Sequence, residues 1–432
     1  MTTNRSDIST SVDGVDIFVI SQPDASFINL GTLSTNGDVS RPISITADGV
    51  TVDNKGAIST SGDGSTGIIV GDPYGARYSN VTVTNHGTIM TAGGTLANDP
   101  DPPIFASGID LFGDHNKGVN YGSITNVDGD NVGMNSVGSY STLLNFGQID
   151  STLAGMVIDQ YSGDEVHSSA INYGSIVTHW DGSWGMIALV GDNILKNYGT
   201  IQVEGFASFG MSLEGDRNHG ENYGTIVATG EADRGVLLNG VGLSFANYGT
   251  IRTTGADSIG ARFSGENLAG TDGGIFTNYG RIISAGRSVS GVDSNDHFVN
   301  RGVLIGDATL GAGDDFYVAG KGGSLSGTLV LGDGNDCIIL EKGGGNLMVA
   351  DFVAGAGTDD VIDLSGLSYH SFSEVMAHAT QLGSDVVLNL GPRDQVVLQG
   401  VALEALVPDD FVLSVSAHSH ASLWEHDLLG MI

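Results

Sequence analysis

Two short runs hold the residues best suited to chemistry. Leu310-Gly-Ala-Gly-Asp-Asp-Phe-Tyr-Val318 and Leu331-Gly-Asp-Gly-Asn-Asp-Cys-Ile-Ile339 share a Gly-x-Gly-x-Asp spacing, which puts Asp315 and Asp336 at equivalent places. A looser third copy is Ala354-Gly-Ala-Gly-Thr-Asp-Asp-Val-Ile362. The glycine pairs (Gly311 and Gly313, Gly332 and Gly334, Gly355 and Gly357) free the turn backbone to aim its carbonyl oxygens inward. Asp315, Asp336 and Asp359 add a carboxylate, after which a short strand turns inward at Tyr317, Ile338 and Val361. Carbonyl and carboxylate oxygens together are the donor set of a hard cation. The plainer alternative is a tight Gly-Asp turn that holds nothing. Against it, residues 303–365 contain ten acidic and two basic residues, and unpaired carboxylates at strand-stacking distance repel one another.

Other side chains could serve acid–base chemistry: Asp114 with His115, His179-Trp180-Asp181 with Trp184, Asp216 with His219 and Glu221, and Asp296 with His297. An aromatic beside a carboxylate could grip a sugar. Asp114 and Asp216, however, recur in a Gly-Asp-x-Asn corner at 113–116 and 215–218, with a shorter echo at 191–193, and this is the composition of an Asx-type turn. Enzymes acting on polyuronates also need cations gathered around the substrate carboxylates, and the five Lys and eleven Arg are thinly scattered.

The elements that must position these residues follow from a repeat. Asn-x-Gly-x-(Ile/Leu) occurs eleven times from Asn29 to Asn300, most often at the constant interval that separates Asn172, Asn197, Asn222 and Asn247. Gly67, Gly133, Gly185, Gly210, Gly235, Gly260 and Gly291 all follow their motif Asn at one shared offset, as Gly210 follows Asn197, and open an apolar run. A large apolar residue often stands two before the next Asn, as at Val83, Leu143, Leu195, Phe245, Phe276 and Phe298. Runs of three to six residues with alternating apolar positions, broken by Gly and Asn, read as strands. Three strands per lap, superposed lap on lap, imply a right-handed parallel β-helix. Asn is expected to stack through its side-chain amide, Gly to supply corner dihedrals, and Ile to fill the interior. The ten extra residues between Asn85 and Asn120 are expected in one corner around Asn98-Asp-Pro-Asp-Pro-Pro103. Tyr121, Phe146, Tyr173, Tyr198, Tyr223, Tyr248 and Tyr279 form a second column, either a sticky exterior stripe for glycan or a second subunit, or a stack that stiffens a corner.

The glycine–aspartate runs resemble the calcium-binding repeats-in-toxin (RTX) motif of type I-secreted proteins, which forms a parallel β-roll. The resemblance covers about residues 302–432. It implies Ca2+ held at Gly311, Gly313, Asp315, Gly332, Gly334, Asp336, Gly355, Gly357 and Asp359. This chain departs from the family: its first motif glycine is replaced by Leu310, Leu331 and Ala354, and its copies are not tandem. Few ions are therefore expected. The residues after 365 are similar to that family's carboxy-terminal cap and secretion signal, with a helix at 371–382, strands near 386–390 and 395–398, and an acidic-then-apolar end at Asp427-Leu-Leu-Gly-Met-Ile432. The amino-terminal repeats are similar to those of large surface β-solenoid proteins of Gram-negative bacteria.

Composition narrows the function. Sixteen basic and 50 acidic residues leave a net charge of −34, which disfavours nucleic acid and anionic lipid as partners. The single Cys337 excludes an internal disulfide framework. No stretch has the length of a membrane span, and residues 1–22 lack a signal-peptide apolar core. The expected organisation is an all-β chain: a cap at 1–28, a β-helix at 29–302, a calcium β-roll at 303–365, and a small β-rich cap with secretion signal at 366–432. The expected role is a secreted, calcium-binding, cell-surface or matrix structural protein that adheres or self-assembles, with surface polysaccharide or itself as partner and no membrane insertion. Because parallel β-helices also host polysaccharide lyases, hydrolases and epimerases, a carbohydrate-active enzyme or glycan-binding module is the alternative.

Overall fold

The computed structural model describes residues 1–95, 106–159, 167–264, 272–357 and 360–414. Its strands lie in two long sheets, one of 16 strands from Thr2–Asn4 to Phe411–Val412 and one of 28. Nearly every pairing is parallel and joins one lap to its equivalent in the next. Thr82–Asn85, for instance, lies between Thr51–Asn54 and Lys117–Asn120, with Asn85 beside Asn54 and Asn120. The chain is a parallel β-helix. Its core is a set of like-on-like columns, among them Ile176, Ile201, Ile226 and Ile251 from the motif and Phe245, Phe276 and Phe298 from the strand before it, all buried.

The motif Asn side chains form one continuous ladder. From Asn4 through Asn29, Asn54, Asn85 and so on to Asn300, each Nδ2 donates to the next Oδ1 at 2.8–3.0 Å. An amide can repeat this way because it is donor and acceptor at once. The ladder begins one lap before the first motif copy. Thr2–Asn4, Ile8–Thr10 and Phe18–Ile20 already pair in register with the next lap, inside the segment assigned to a cap from sequence. Ser6 replaces the motif glycine there, which hid the repeat.

The glycines act differently from expectation. None of the eleven motif glycines has positive φ. A Cβ added at any of them would lie only 1.9–2.2 Å from a carbonyl oxygen of the preceding lap. They are glycine because the backbones approach closely, with no left-handed geometry involved. The corners do contain left-handed residues, but Val39, Ala207 and Ala232 fill such positions at φ 51°, 53° and 57°. The second glycine column has yet another reason. A Cβ at Gly185, Gly210 or Gly235 would fall 2.2–2.3 Å from the Cγ2 of the next lap's motif Ile. Gly291 lies outside that column, and Ser288 stacks on Gly260 instead.

The carboxy-terminal laps continue both sheets without a break: Phe316–Ala319 pairs on Asn295–Asn300, Cys337–Leu340 on Phe316–Ala319, and Val361–Asp363 on Cys337–Leu340. Beyond them, the helix expected over 371–382 is one turn, Phe372–Met376, started by Ser371, whose hydroxyl accepts the Glu374 N–H. It ends early because Ala379–Leu382 is drawn into an antiparallel hairpin with Asp385–Gly391, which pairs in turn with Asp394–Leu398. Among the described residues no helix is long and apolar enough to cross a membrane. The Asn98–Pro103 corner, Asp359 and the 427–432 end lie outside the described residues.

A test of the close-approach reading is Gly224→Ala, whose Cβ would sit 2.0 Å from the Gly199 carbonyl oxygen, against Gly366→Ala, whose nearest neighbour would be 3.6 Å away. Urea denaturation should place the first about 1–3 kcal/mol below wild type, as overpacking does, and leave the second within error of it.

Candidate metal centre

One corner column, immediately before the strands of the 16-stranded sheet, carries the site. Strand register aligns Asn116, Ser141, Ser168, Asn193, Asn218, Leu243, Gly274, Asp296, Asp315, Asp336 and Asp360, one per lap. In the earlier laps a neutral oxygen of this column accepts the backbone N–H of the lap before. Asn116 N–H donates to Ser141 Oγ (3.1 Å), Ser168 N–H to Asn193 Oδ1 (2.9 Å), and Asn193 N–H to Asn218 Oδ1 (2.8 Å). From Asp315 onward a carboxylate takes the same role. Asp296 N–H donates to Asp315 Oδ1 (2.7 Å), Asp315 N–H to Asp336 Oδ1 (2.9 Å), and Asp336 N–H to Asp360 Oδ1 (3.2 Å).

These four aspartates are buried, at 0, 0, 1 and 1% exposure, and in three of them, Asp296, Asp315 and Asp336, Oδ2 has no hydrogen-bond partner. Burial pushes those three carboxyls up to about 8, 7 and 7, and the like charge of the next aspartate in the column pushes the same way. Among the described residues, no Lys or Arg is among the charges acting on them. The turns leading into the second and third members have left-handed glycines, Gly311 and Gly313 at φ 118° and 128°, Gly332 and Gly334 at 111° and 150°. The turns stack so closely that a Cβ at Gly334 would collide with the Gly313 carbonyl oxygen. Outside the column, half-buried Asn295 and exposed Asp314 and Asn335 form a companion, with Asp314 N–H on Asn295 Oδ1 and Asn335 N–H on Asp314 Oδ1, both 2.9 Å.

The donors are all oxygen and fit a hard cation. They form a ladder with one carboxylate per lap, and among the described residues no three His, Cys, Asp or Glu side chains converge on one point. Asp315 and Asp336 occupy equivalent positions on successive laps, as their shared spacing implies. Gly355 and Gly357 are also left-handed, at φ 137° and 69°. In the third copy the residue in register is Asp360, next to the anticipated Asp359. In the sequence Asp296 stands out only as the neighbour of His297. The usable signal was its place four before a ladder Asn, the same offset as Asn116, Ser141 and Asn218.

The acid–base candidates are occupied by their neighbours. Asp114 and Asp216 each accept a backbone N–H from the next lap, Ser139 and Val241, at 2.9 Å. Exposed His179 is clamped between Asp150 and Glu204, both at 2.8 Å. Its partial burial disfavours charge, but those two carboxylates outweigh it and raise its pKa. Asp181 accepts the Phe206 N–H, and Glu221 pairs with Lys196 at 2.6 Å. The rings from His86 through Tyr121 to Tyr279 stack at 4.7–5.0 Å within 12° of parallel. Interior rings therefore have both faces covered and offer only edges, whereas gripping a sugar ring needs a free face.

Another buried carboxylate, Asp110, had no sequence signal. Asp110 faces outward on Ile109–Phe112 yet is 4% exposed, with Thr66 Oγ1 donating to Oδ2 at 2.8 Å and Oδ1 without a partner. Burial raises it to about 6, against the lowering effect of Thr66, Ser107, Asn135 and more distant Arg41.

One family model matches the chain: the BigA third pectate lyase-like domain, over residues 1–220. No curated protein matches it.

The Asp110 shift has a definite sign. A folded-state pKa above the unfolded value gives stability that is complete below about pH 4 and is lost as pH rises through about 6. Asp110→Asn keeps an oxygen for Thr66, so thermal melts should match wild type at pH 4 and exceed it at pH 7.5 by roughly 1–3 kcal/mol.

Proposed function

The chain belongs to the BigA third pectate lyase-like domain family, and from that premise we propose that it is a secreted, calcium-binding β-solenoid with a structural role at the cell surface or in the extracellular matrix. The observation that carries this reading is the buried aspartate column, in which second oxygens lack partners and successive laps repeat the same charge. Such a column closes with protons or with cations, and near neutral pH a hard divalent ion suits its oxygens. Asp315, Asp336 and Asp360 would hold calcium together with carbonyls of the glycine turns. A bound ion would supply positive charge between laps that otherwise repel. The rest of the work belongs to the chain: the Oδ1 hydrogen bonds hold each carboxylate in register, and the glycine turns admit the close stacking. Metal affinity would then be folding energy for the carboxy-terminal laps. A chain that stays loose in calcium-poor cytosol and closes at the calcium levels of about 10⁻⁴–10⁻³ M served by extracellular sites suits export by a type I route. The long, regular ladders suit a scaffold that adheres or self-assembles.

The pectate lyase-like description of the family and the buried Asp110 favour a second reading, a carbohydrate-active enzyme or glycan-binding module. Incubation with pectate, alginate or capsular polysaccharide distinguishes the two, since release of unsaturated uronates or new reducing ends would replace the structural reading.

Calcium should raise the melting temperature and far-UV β signal of the full chain, with EDTA reversing both. A free concentration 100 times Kd should add about 2.7 kcal/mol per site. A melt indifferent to calcium and chelator between pH 7 and 8 would refute calcium-coupled folding.

A further inference from the structure

We propose that Asp296 forms a cation site of its own, one lap ahead of the first glycine motif, so that the ion column starts outside the segment that the motifs mark. The inference rests on the calcium reading above and extends it to residues with no motif signature, since 291–296 read Gly-Val-Asp-Ser-Asn-Asp.

The protein contains its own control. In earlier laps the same column position is Asn116, Ser141, Ser168, Asn193 or Asn218, and one neutral oxygen there satisfies the N–H of the previous lap. That hydrogen bond needs no charge. Leu243 and Gly274 then interrupt the series, after which the column resumes as aspartate at 296. A carboxylate brings a second oxygen and a negative charge that the hydrogen-bonded column does not use. At Asp296 the Ser294 hydroxyl donates to Oδ1 at 2.8 Å, while Oδ2 is wholly buried and has no partner.

The surroundings are cut to fit that carboxylate. A Cβ at Gly273 would lie 2.3 Å from Asp296 Oδ1, and a Cβ at Gly291 would lie 2.5 Å from Oδ2. Gly291 also faces the Leu310 carbonyl oxygen. Its displacement from the glycine column of the β-helix therefore has a use, as it leaves space beside Asp296. The next lap presents Asp315, whose own Oδ2 is also without a partner. Two buried carboxylates on successive laps, each with an uncommitted oxygen, favour a small hard divalent ion as occupant. The Leu310 carbonyl and Ser294 hydroxyl are further oxygens in the same corner. A neutral or organic ligand would leave the two charges facing each other.

Equilibrium dialysis of the full chain against saturating calcium, with elemental analysis, tests the assignment. Asp296→Asn and, as a second form, Asp296→Ser install residues that this column already accepts elsewhere, so both should fold. Each should bind one calcium fewer per chain than wild type, gain less in melting temperature from calcium, and melt no lower than wild type without it. Asp293→Asn, altered at a neighbour outside the buried column, should keep the wild-type count. An unchanged count in the Asp296 variants of a calcium-binding wild type would overturn the Asp296 site alone. So would loss of the ion in Asp293→Asn. A wild-type chain that takes up no calcium would instead overturn the calcium reading itself, and this site with it.

Discussion

Each lap of this chain must lie on a near copy of itself at about 4.8 Å, and the recurring residues are those that tolerate that contact. Like must stack on like. An amide does so without limit, because its N–H2 donates to the copy on one side while its oxygen accepts from the other, as from Asn4 to Asn300. Aromatic rings do so by offering a face, and branched aliphatic chains by nesting. Glycine does so where two backbones would otherwise collide. A carboxylate fails the same test, since it only accepts and every neighbour repeats its charge.

That asymmetry divides the molecule more sharply than its strand architecture does. The sheets run on from the first lap to the last, although near residue 290 two strands of the earlier laps merge into the single strand Arg281–Ser290 and the register shifts there. The change is chemical. One corner column exchanges Ser and Asn for Asp, keeping the same inter-lap hydrogen bond at 315, 336 and 360, and at 296, 315 and 336 the exchange leaves an oxygen and a charge over. Under the proposed reading, the amino-terminal laps hold together by neutral contacts, whereas the carboxy-terminal laps depend on ions. Closure of the rod would then follow the calcium concentration of its surroundings.

The outer surface follows from the same rule. Tyr and Phe stack so regularly that their faces are spent on one another, so the aromatic stripe stiffens a corner and presents a row of edges. The acidic corners behave alike. Asp114 and Asp216 were legible as turn formers, and each, like Asp38 and Asp63, hydrogen-bonds one lap to its neighbour. Side chains that looked like acid–base pairs in the sequence, such as Asp114 with His115, are used in this stacking. Sequence proximity says little about meeting in space when every residue's principal neighbour is a whole lap away along the chain.

That same period made the fold legible from sequence alone. Any regular spacing of Asn, Gly and Ile over eleven laps forces equivalent residues into columns, because no other arrangement buries the Ile and satisfies the Asn together. The Gly-x-Gly-x-Asp turns were legible for the same reason, and Asp315 and Asp336 occupy equivalent positions on successive laps. What only the tertiary structure decided is which neighbour each residue meets. It showed that the motif glycines answer to a carbonyl oxygen of the lap before, that Asp360 is in register with Asp336, and that Asp110 is buried. It also joined Asp296 to a column that reaches back to Asn116 and forward to Asp360. Those facts depend on lap lengths that vary from corner to corner, and only the folded stack resolves such variation into register.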